Sequence, residues 1–170
     1  ISIATGGGKS IIVSMLAKSL HAASGGKRVL CLCPSKELTQ QNYDKYIALG
    51  EKASIYSASI SKSMRHPVVF ATGQSFIKIA KKFAHEFCAI IPDECHKIDN
   101  TFLEIASILR EANPNLRICG LSATPYRMGT GFIYELDDKN RAVQDAINPF
   151  YKKMVYSIGA DELIALGFLT

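Results

Sequence analysis

Three consecutive glycines, Gly6, Gly7 and Gly8, stand between Thr5 and the pair Lys9-Ser10, near the start of a chain of 170 residues. Without Cβ atoms, the backbone N–H groups of such a loop can close around an anion. The apolar run Ile11-Ile12-Val13 follows at once, so the stretch reads as a strand, a loop and a helix. A helix N-terminus adds partial positive charge, and a phosphate is the anion that suits it. Lys9 is then placed for the β- and γ-phosphates of a nucleoside triphosphate, and the Ser10 hydroxyl for a Mg²⁺ ion. In the general phosphate-loop pattern a further glycine would fall at Ile3, so this loop is a variant of it.

Hydrolysis needs more than phosphate binding: an acid to hold the metal and a group to orient the attacking water. Asp93-Glu94 offers both, after the apolar run Phe87-Cys88-Ala89-Ile90-Ile91. An Asp at a strand's end can enter the Mg²⁺ shell, while the next carboxylate, turned the other way, polarises a water. Pro92 removes a ladder donor immediately before Asp93, and a displaced carboxylate is the expected consequence.

The elements that must carry these groups follow from periodicity. Ile12, Met15, Leu16, Ser19, Leu20 and Ala23 recur at helical spacing up to Ser24-Gly25-Gly26. Arg28 to Cys33 is the near-continuous apolar run of a strand covered on both faces. Pro34 ends it, and Ser35 can cap a helix whose apolar positions include Leu38, Tyr43, Tyr46 and Ile47. A strand is expected at 53–56, a surface loop at 57–66, and another strand at 68–71. After Thr72-Gly73-Gln74-Ser75 comes a helix with Phe76, Ala80 and Phe83 inward and Lys78, Lys81 and Lys82 outward. Asp99-Asn100-Thr101 can cap a helix with the stripe Phe102, Ile105, Ala106 and Leu109. A strand at 116–121 leads to Ser122-Ala123-Thr124. Beyond it we expect a loop from 128 to 140, a helix through Val143 and Ile147, a strand near 154–156 and a short helix at 161–166. Strands alternating with helices imply βαβ units, a mostly parallel sheet, and ligands at the strands' carboxyl ends.

Composition is that of one globular domain, 48% hydrophobic and 21% charged, with a mildly basic net charge of +5 that is compatible with nucleic acid. No apolar run is long enough for a membrane span and no signal peptide is apparent, so a cytoplasmic location without a membrane partner is expected. Five cysteines without framework spacing fit reduced thiols, and Cys31 and Cys33 read as small buried hydrophobes. Ile1-Ser2-Ile3 is only the tail of a strand, so the sequence reads as part of something longer.

Together these stretches resemble the motifs of superfamily 2 helicases. Thr5 to Ser10 is similar to motif I, which does not require the glycine missing at Ile3. Asp93-Glu94-Cys95-His96 looks like the Asp-Glu-x-His motif II, and Ser122-Ala123-Thr124 like motif III. Pro34-Ser35-Lys36-Glu37 resembles motif Ia and Thr72-Gly73-Gln74 motif Ib. The resemblance implies an α/β fold: a RecA-like P-loop NTPase domain, its sheet mostly parallel with helices on both faces, over residues 1–158 and cut before residue 1. Residues 159–170 would be a terminal helix leading towards a second RecA-like domain that the sequence lacks.

The resemblance further implies ATP and Mg²⁺ as cofactors. Thr5, Gly6, Gly7, Gly8, Lys9 and Ser10 would bind nucleotide, Ser10 and Asp93 the metal, and Lys9 and Glu94 would be catalytic. His96, Ser122 and Thr124 would couple nucleotide state to nucleic-acid grip through bonds from the imidazole to the two hydroxyls. Pro34, Ser35, Lys36, Thr72, Gly73 and Gln74 would hold a nucleic-acid backbone, and simple helix capping would explain the same residues. Leu121 to Tyr134 and Asp161 to Thr170 look most like the RadD-like bacterial DNA-repair ATPases of that superfamily, which implies DNA rather than RNA. The implied function is ATP hydrolysis coupled to movement on, or unwinding of, nucleic acid. Two other readings stay open: a nucleotide-gated nucleic-acid-binding module without turnover, which Pro92 favours, and another P-loop NTPase or kinase.

Overall fold

The computed structural model describes residues 1–168; Leu169 and Thr170, the last two residues of the expected terminal helix, lie outside the described residues. The chain begins with β1 (Ser2–Ile3), α1 (Lys9–Ala23), β2 (Arg28–Cys33), α2 (Lys36–Ala48), β3 (Ala53–Ser57) and β4 (Ser61–Lys62). Then come β5 (Val68–Thr72), α3 (Gly73–Phe76), α4 (Ala80–Phe83), β6 (Phe87–Pro92), α5 (Asn100–Ala112) and β7 (Arg117–Ile118). The last part holds β8 (Tyr126–Arg127), β9 (Gly131–Phe132), β10 (Tyr134–Leu136), β11 (Tyr151–Lys153), β12 (Ser157–Ile158) and α6 (Ala160–Ala165). Two compact units divide these: residues 10–93 with 97–120, and residues 1–9 with 94–96 and 121 onward.

The unit of residues 10–93 and 97–120 is built on a sheet of order β4-β3-β5-β2-β6-β7, parallel except for β4. In β2, β5 and β6 consecutive residues are buried, which requires cover on both faces of the sheet. On one face α2 packs over β2, β3 and β5, where the Tyr46 ring meets Phe70 at 5.6 Å. Ser35 caps α2 by accepting from Leu38 N, as its position after Pro34 predicts. Asp99 caps α5 by accepting from Phe102 N at 2.7 Å, and the buried face of α5 is the expected stripe Phe102, Ile105, Ala106 and Leu109.

Several expectations fail in instructive ways. The buried face of α1 is Val13, Ser14 and Ala17, while Met15 is 59% exposed. So many apolar residues crowd the first turns of α1 that more than one helical stripe could be drawn through them. The helix expected after Gln74 is broken into α3 and α4, and a 3₁₀ turn at Ala84–Glu86 follows. The 57–66 loop contains the edge strand β4, and the 116–121 strand shrinks to the two residues of β7.

Pro92 does not disrupt the ladder. It stays in register with Leu32, and Asp93 N still donates to Leu32 O at 2.8 Å. Because N–H groups alternate sides along a strand, the donor missing at Pro92 faces the other neighbour, β7, which has already ended at Ile118.

In the other unit, β1 lies between Ser122 and β12: Ile3 N donates to Ser122 O at 3.0 Å and Ala4 N to Ile158 O at 3.2 Å. The expected 128–140 loop instead holds β9, which closes a hairpin with the preceding β8, and β10, which pairs in parallel with β11. No helix passes through Val143 and Ile147. Val143 N donates to Glu135 O and Ile147 N to Thr130 O, with Asn140 and Asn148 at positive φ, so these residues lie along the neighbouring strands instead. The strand expected at 154–156 is displaced to either side, as β11 and β12. The terminal helix is the short α6. Among the described residues no helix is long and apolar enough to cross a membrane.

Losing the Asp99 cap in Asp99→Ala should destabilise by about 1 kcal/mol, and Leu109→Ala, which opens a cavity, by about 3 kcal/mol; urea unfolding measures both. Burial pushes the Cys33 thiol from its ordinary 9 up to about 12, and that of Cys31 in the same direction. The folded chain therefore holds these protons more tightly than the unfolded one, so their contribution is complete below about pH 9 and is lost as pH rises towards 12. Unfolding midpoints should fall over that window, and less steeply in Cys33→Ala.

Candidate nucleotide site

The glycine loop belongs to the unit of residues 1–9, 94–96 and 121 onward. Gly6 and Gly8 adopt φ of 85° and 79°, which a side chain resists, and Gly7 N donates back to Ala4 O at 3.0 Å. Gly7 is required for a different reason. A Cβ there would lie 2.7 Å from both Ile3 Cγ2 and Leu163 Cδ1, so the loop is packed underneath by side chains and presents backbone outward. Thr5 and Gly6 are exposed.

At the end of the loop Lys9 Nζ donates to Glu94 Oε1 at 2.9 Å, with the two side chains only 16% and 22% exposed. Glu94 sits at φ 50°, a left-handed conformation uncommon for a residue with a Cβ and one that concentrates at functional sites. Its other carboxylate oxygen, Oε2, lies 3.5 Å from His96 Nδ1. The same Nδ1 is 2.7 Å from Ser122 Oγ, which also accepts from Thr124 N at 3.0 Å. Cys95 N donates to Leu121 O at 2.9 Å and so ties this segment to the Ser122 strand. Lys9, Glu94, His96 and Ser122 are thus one connected polar run. Thr124 joins it through its backbone N–H, which donates to Ser122 Oγ.

The remaining residues belong to the unit of residues 10–93 and 97–120. Ser10 lies in the first turn of α1, its carbonyl accepting from Ser14 Oγ at 2.9 Å. Asp93 is 7% exposed, and its Oδ2 accepts from Asn42 Nδ2 at 2.8 Å. Ser10 and Asp93 supply the hard oxygen donors that Mg²⁺ takes from a protein when phosphate completes its shell, so their chemistry fits that ion. The loop backbone likewise fits a phosphate chain. At the carboxyl edge of the sheet, Ser35 follows β2 and Thr72 ends β5, in register with Cys33. Lys36 is exposed on the first turn of α2. Thr72 Oγ1 donates to Ser75 Oγ, and Gln74 Nε2 to Thr101 Oγ1, both at 3.0 Å. The helix after Thr72 has only four residues, so its N–H groups, and little macrodipole, are what it could offer a phosphate.

Sequence reasoning missed Asn42. The signal was there: Thr39, Asn42 and Tyr46 recur at helical spacing and form the buried face of α2, a polar stripe that an apolar count passes over.

A mostly parallel α/β sheet, a glycine loop opening a helix and an Asp-Glu pair at a strand's end define a helicase-type RecA-like domain. A family model described as the res subunit of type III restriction enzymes matches residues 1–127, and the chain belongs to that family. Among solved structures it is similar to the UvsW helicase of bacteriophage T4, at 27% identity over 73% of this chain and 46% of that one, with a TM-score of 0.57. A nuclease-deletion mutant of the type ISP restriction-modification enzyme LlaGI, in complex with a DNA substrate mimic, covers 99% of this chain and 18% of its own, at 16% identity and a TM-score of 0.62. Dbp5 of S. cerevisiae, bound to RNA and ADP BeF3, covers 72% and 35%, at 15% identity and a TM-score of 0.60. The last two show the fold alone. The chain spans less than half the length of each of these proteins. No curated protein matches it.

Substitution should separate the two kinds of glycine in the loop. Gly8→Ala has open space and should cost only the left-handed φ, about 1 kcal/mol. Gly7→Ala must displace both Ile3 and Leu163 and should cost more, about 2 kcal/mol. Thermal unfolding of the two variants gives the order.

Proposed function

We propose that the chain is the ATP-binding domain of a nucleic-acid-dependent ATPase, a superfamily 2 helicase or translocase that couples ATP hydrolysis to movement on, or unwinding of, nucleic acid. The observation that carries this is the Lys9–Glu94 ion pair at 2.9 Å, which joins the lysine of the glycine loop to the second acid of the Asp-Glu pair. With nucleotide bound, Lys9 would turn to the β- and γ-phosphates and so release Glu94 to take a proton from the attacking water. Thr5, Gly6, Gly7, Gly8 and Ser10 would hold the phosphates, and Ser10 and Asp93 a Mg²⁺ ion, which neutralises charge developing on them. His96 faces both Glu94 and Ser122, an arrangement suited to reporting the state of the acid to the Ser122-Ala123-Thr124 segment.

The nucleic-acid backbone would lie along the sheet's carboxyl edge at Pro34, Ser35, Lys36, Thr72, Gly73 and Gln74, contacts that position a strand without reading its sequence. The resemblance of residues 121–134 and 161–170 to the RadD-like ATPases supports DNA as the substrate and DNA repair as the setting. In this reading residues 1–158 are the first RecA-like domain, and a second one in the same protein supplies the arginine that stabilises the transition state.

Two outcomes test the reading. In the full-length protein Glu94→Gln should lower nucleic-acid-stimulated ATP turnover at least about 100-fold while ATP still binds; unchanged turnover would remove Glu94 from the role. Residues 1–170 alone should bind nucleotide weakly and hydrolyse it roughly 10³-fold more slowly than the intact protein, and brisk stimulated turnover by this chain alone would show that the second domain is dispensable.

A further inference from the structure

Asn42 is fully buried in the middle of α2, on the inward stripe with Thr39 and Tyr46. Its Nδ2 has two hydrogens and two acceptors, Asp93 Oδ2 at 2.8 Å and Cys33 Sγ at 3.4 Å. Nδ2 is the donor end of the amide, and these two acceptors use both of its hydrogens. Its oxygen, Oδ1, is the acceptor end, and it is buried without a hydrogen-bond partner among the described residues. A buried carbonyl without a donor is costly, whereas a leucine, of the same branched shape, would bring no polar atom to leave unpaired. The cost makes sense if a donor arrives with a ligand.

We infer that Asn42 is a positioning residue for the metal: Nδ2 fixes the Asp93 carboxylate, and Oδ1 accepts a hydrogen bond from a water of the Mg²⁺ shell. The inference rests on the assignment of Asp93 to Mg²⁺ given above. A Mg²⁺ ion held by one carboxylate keeps several waters. These are donors only, which is what a lone amide oxygen beside the carboxylate requires. Groups that orient a metal's carboxylate in this way typically change metal affinity 10- to 100-fold when removed.

The test is the Mg²⁺ dependence of binding a non-hydrolysable ATP analogue to the full-length protein, followed by calorimetry with Mg²⁺ varied and with EDTA. Asn42→Leu should raise the Mg²⁺ concentration that gives half of the affinity gain about 10-fold or more and leave binding in EDTA unchanged. Asn42→Ser, smaller and easier to fold around, should shift it in the same direction. An unshifted Mg²⁺ dependence in a folded variant overturns the inference. So does an equal loss with and without Mg²⁺, which marks a packing role. Asp93→Asn separates the two levels of the argument. If it abolishes the Mg²⁺-dependent gain while Asn42→Leu and Asn42→Ser keep it, only the role of Asn42 falls. If Asp93→Asn keeps the gain, the assignment of Asp93 falls and that of Asn42 with it.

Discussion

Two consecutive carboxylates have to face different partners, and the backbone turn that makes them do so sets most of the chemistry of this chain. Asp93 is still tied to the ladder by its N–H to Leu32 and ends in the buried amide of Asn42. One residue later the chain turns into the left-handed region at Glu94, whose carboxylate meets Lys9 and His96. An extended residue in that place would continue the alternation of the strand and send its side chain elsewhere. Backbone strain of this kind persists only where its surroundings hold it, and here the Lys9 ammonium and the Cys95 N–H to Leu121 supply that hold.

The parts of the fold legible in the sequence are those in which one physical signal dominates. The unbroken apolar run of β2 can only be a strand covered on both faces. In α5, a capping Asp and four apolar residues at helical spacing agree with one another, and cap and stripe stand where they were expected. The turn into α1 was legible because three glycines before Lys-Ser break a strand and open a helix, as they do here. Where signals competed, the reading failed. In α1 apolar residues lie on too many sides for periodicity to choose a face, and small residues, Ser14 and Ala17, turned out to be the buried ones.

Residues 141–150 were unreadable for another reason. Val143 and Ile147 are four apart, as on a helix, yet their N–H groups bond to the carbonyls of Glu135 and Thr130. Only tertiary partners decide that, and no local pattern encodes them. Asn42 lies between these cases: a buried amide on a helix looks like any exposed polar residue until the carboxylate it serves is known. Pro92 shows the converse. A residue that breaks a ladder in general does no harm where the neighbouring strand is too short to need its donor.

The β8–β9 hairpin carries a constraint of a different sort. Gly131 is at φ 74°, and a Cβ there would fall 2.1 Å from the carbonyl oxygen of Asp145, the same oxygen that accepts from Phe132 N. Every other amino acid is thereby barred from position 131 as long as residues 141–150 follow this path. Gly131 is thus a marker that can be read from sequence alone. A related chain with a side chain at this position must route its equivalent of residues 141–150 differently, and the marker can sort relatives by the architecture of this segment without a structure of each.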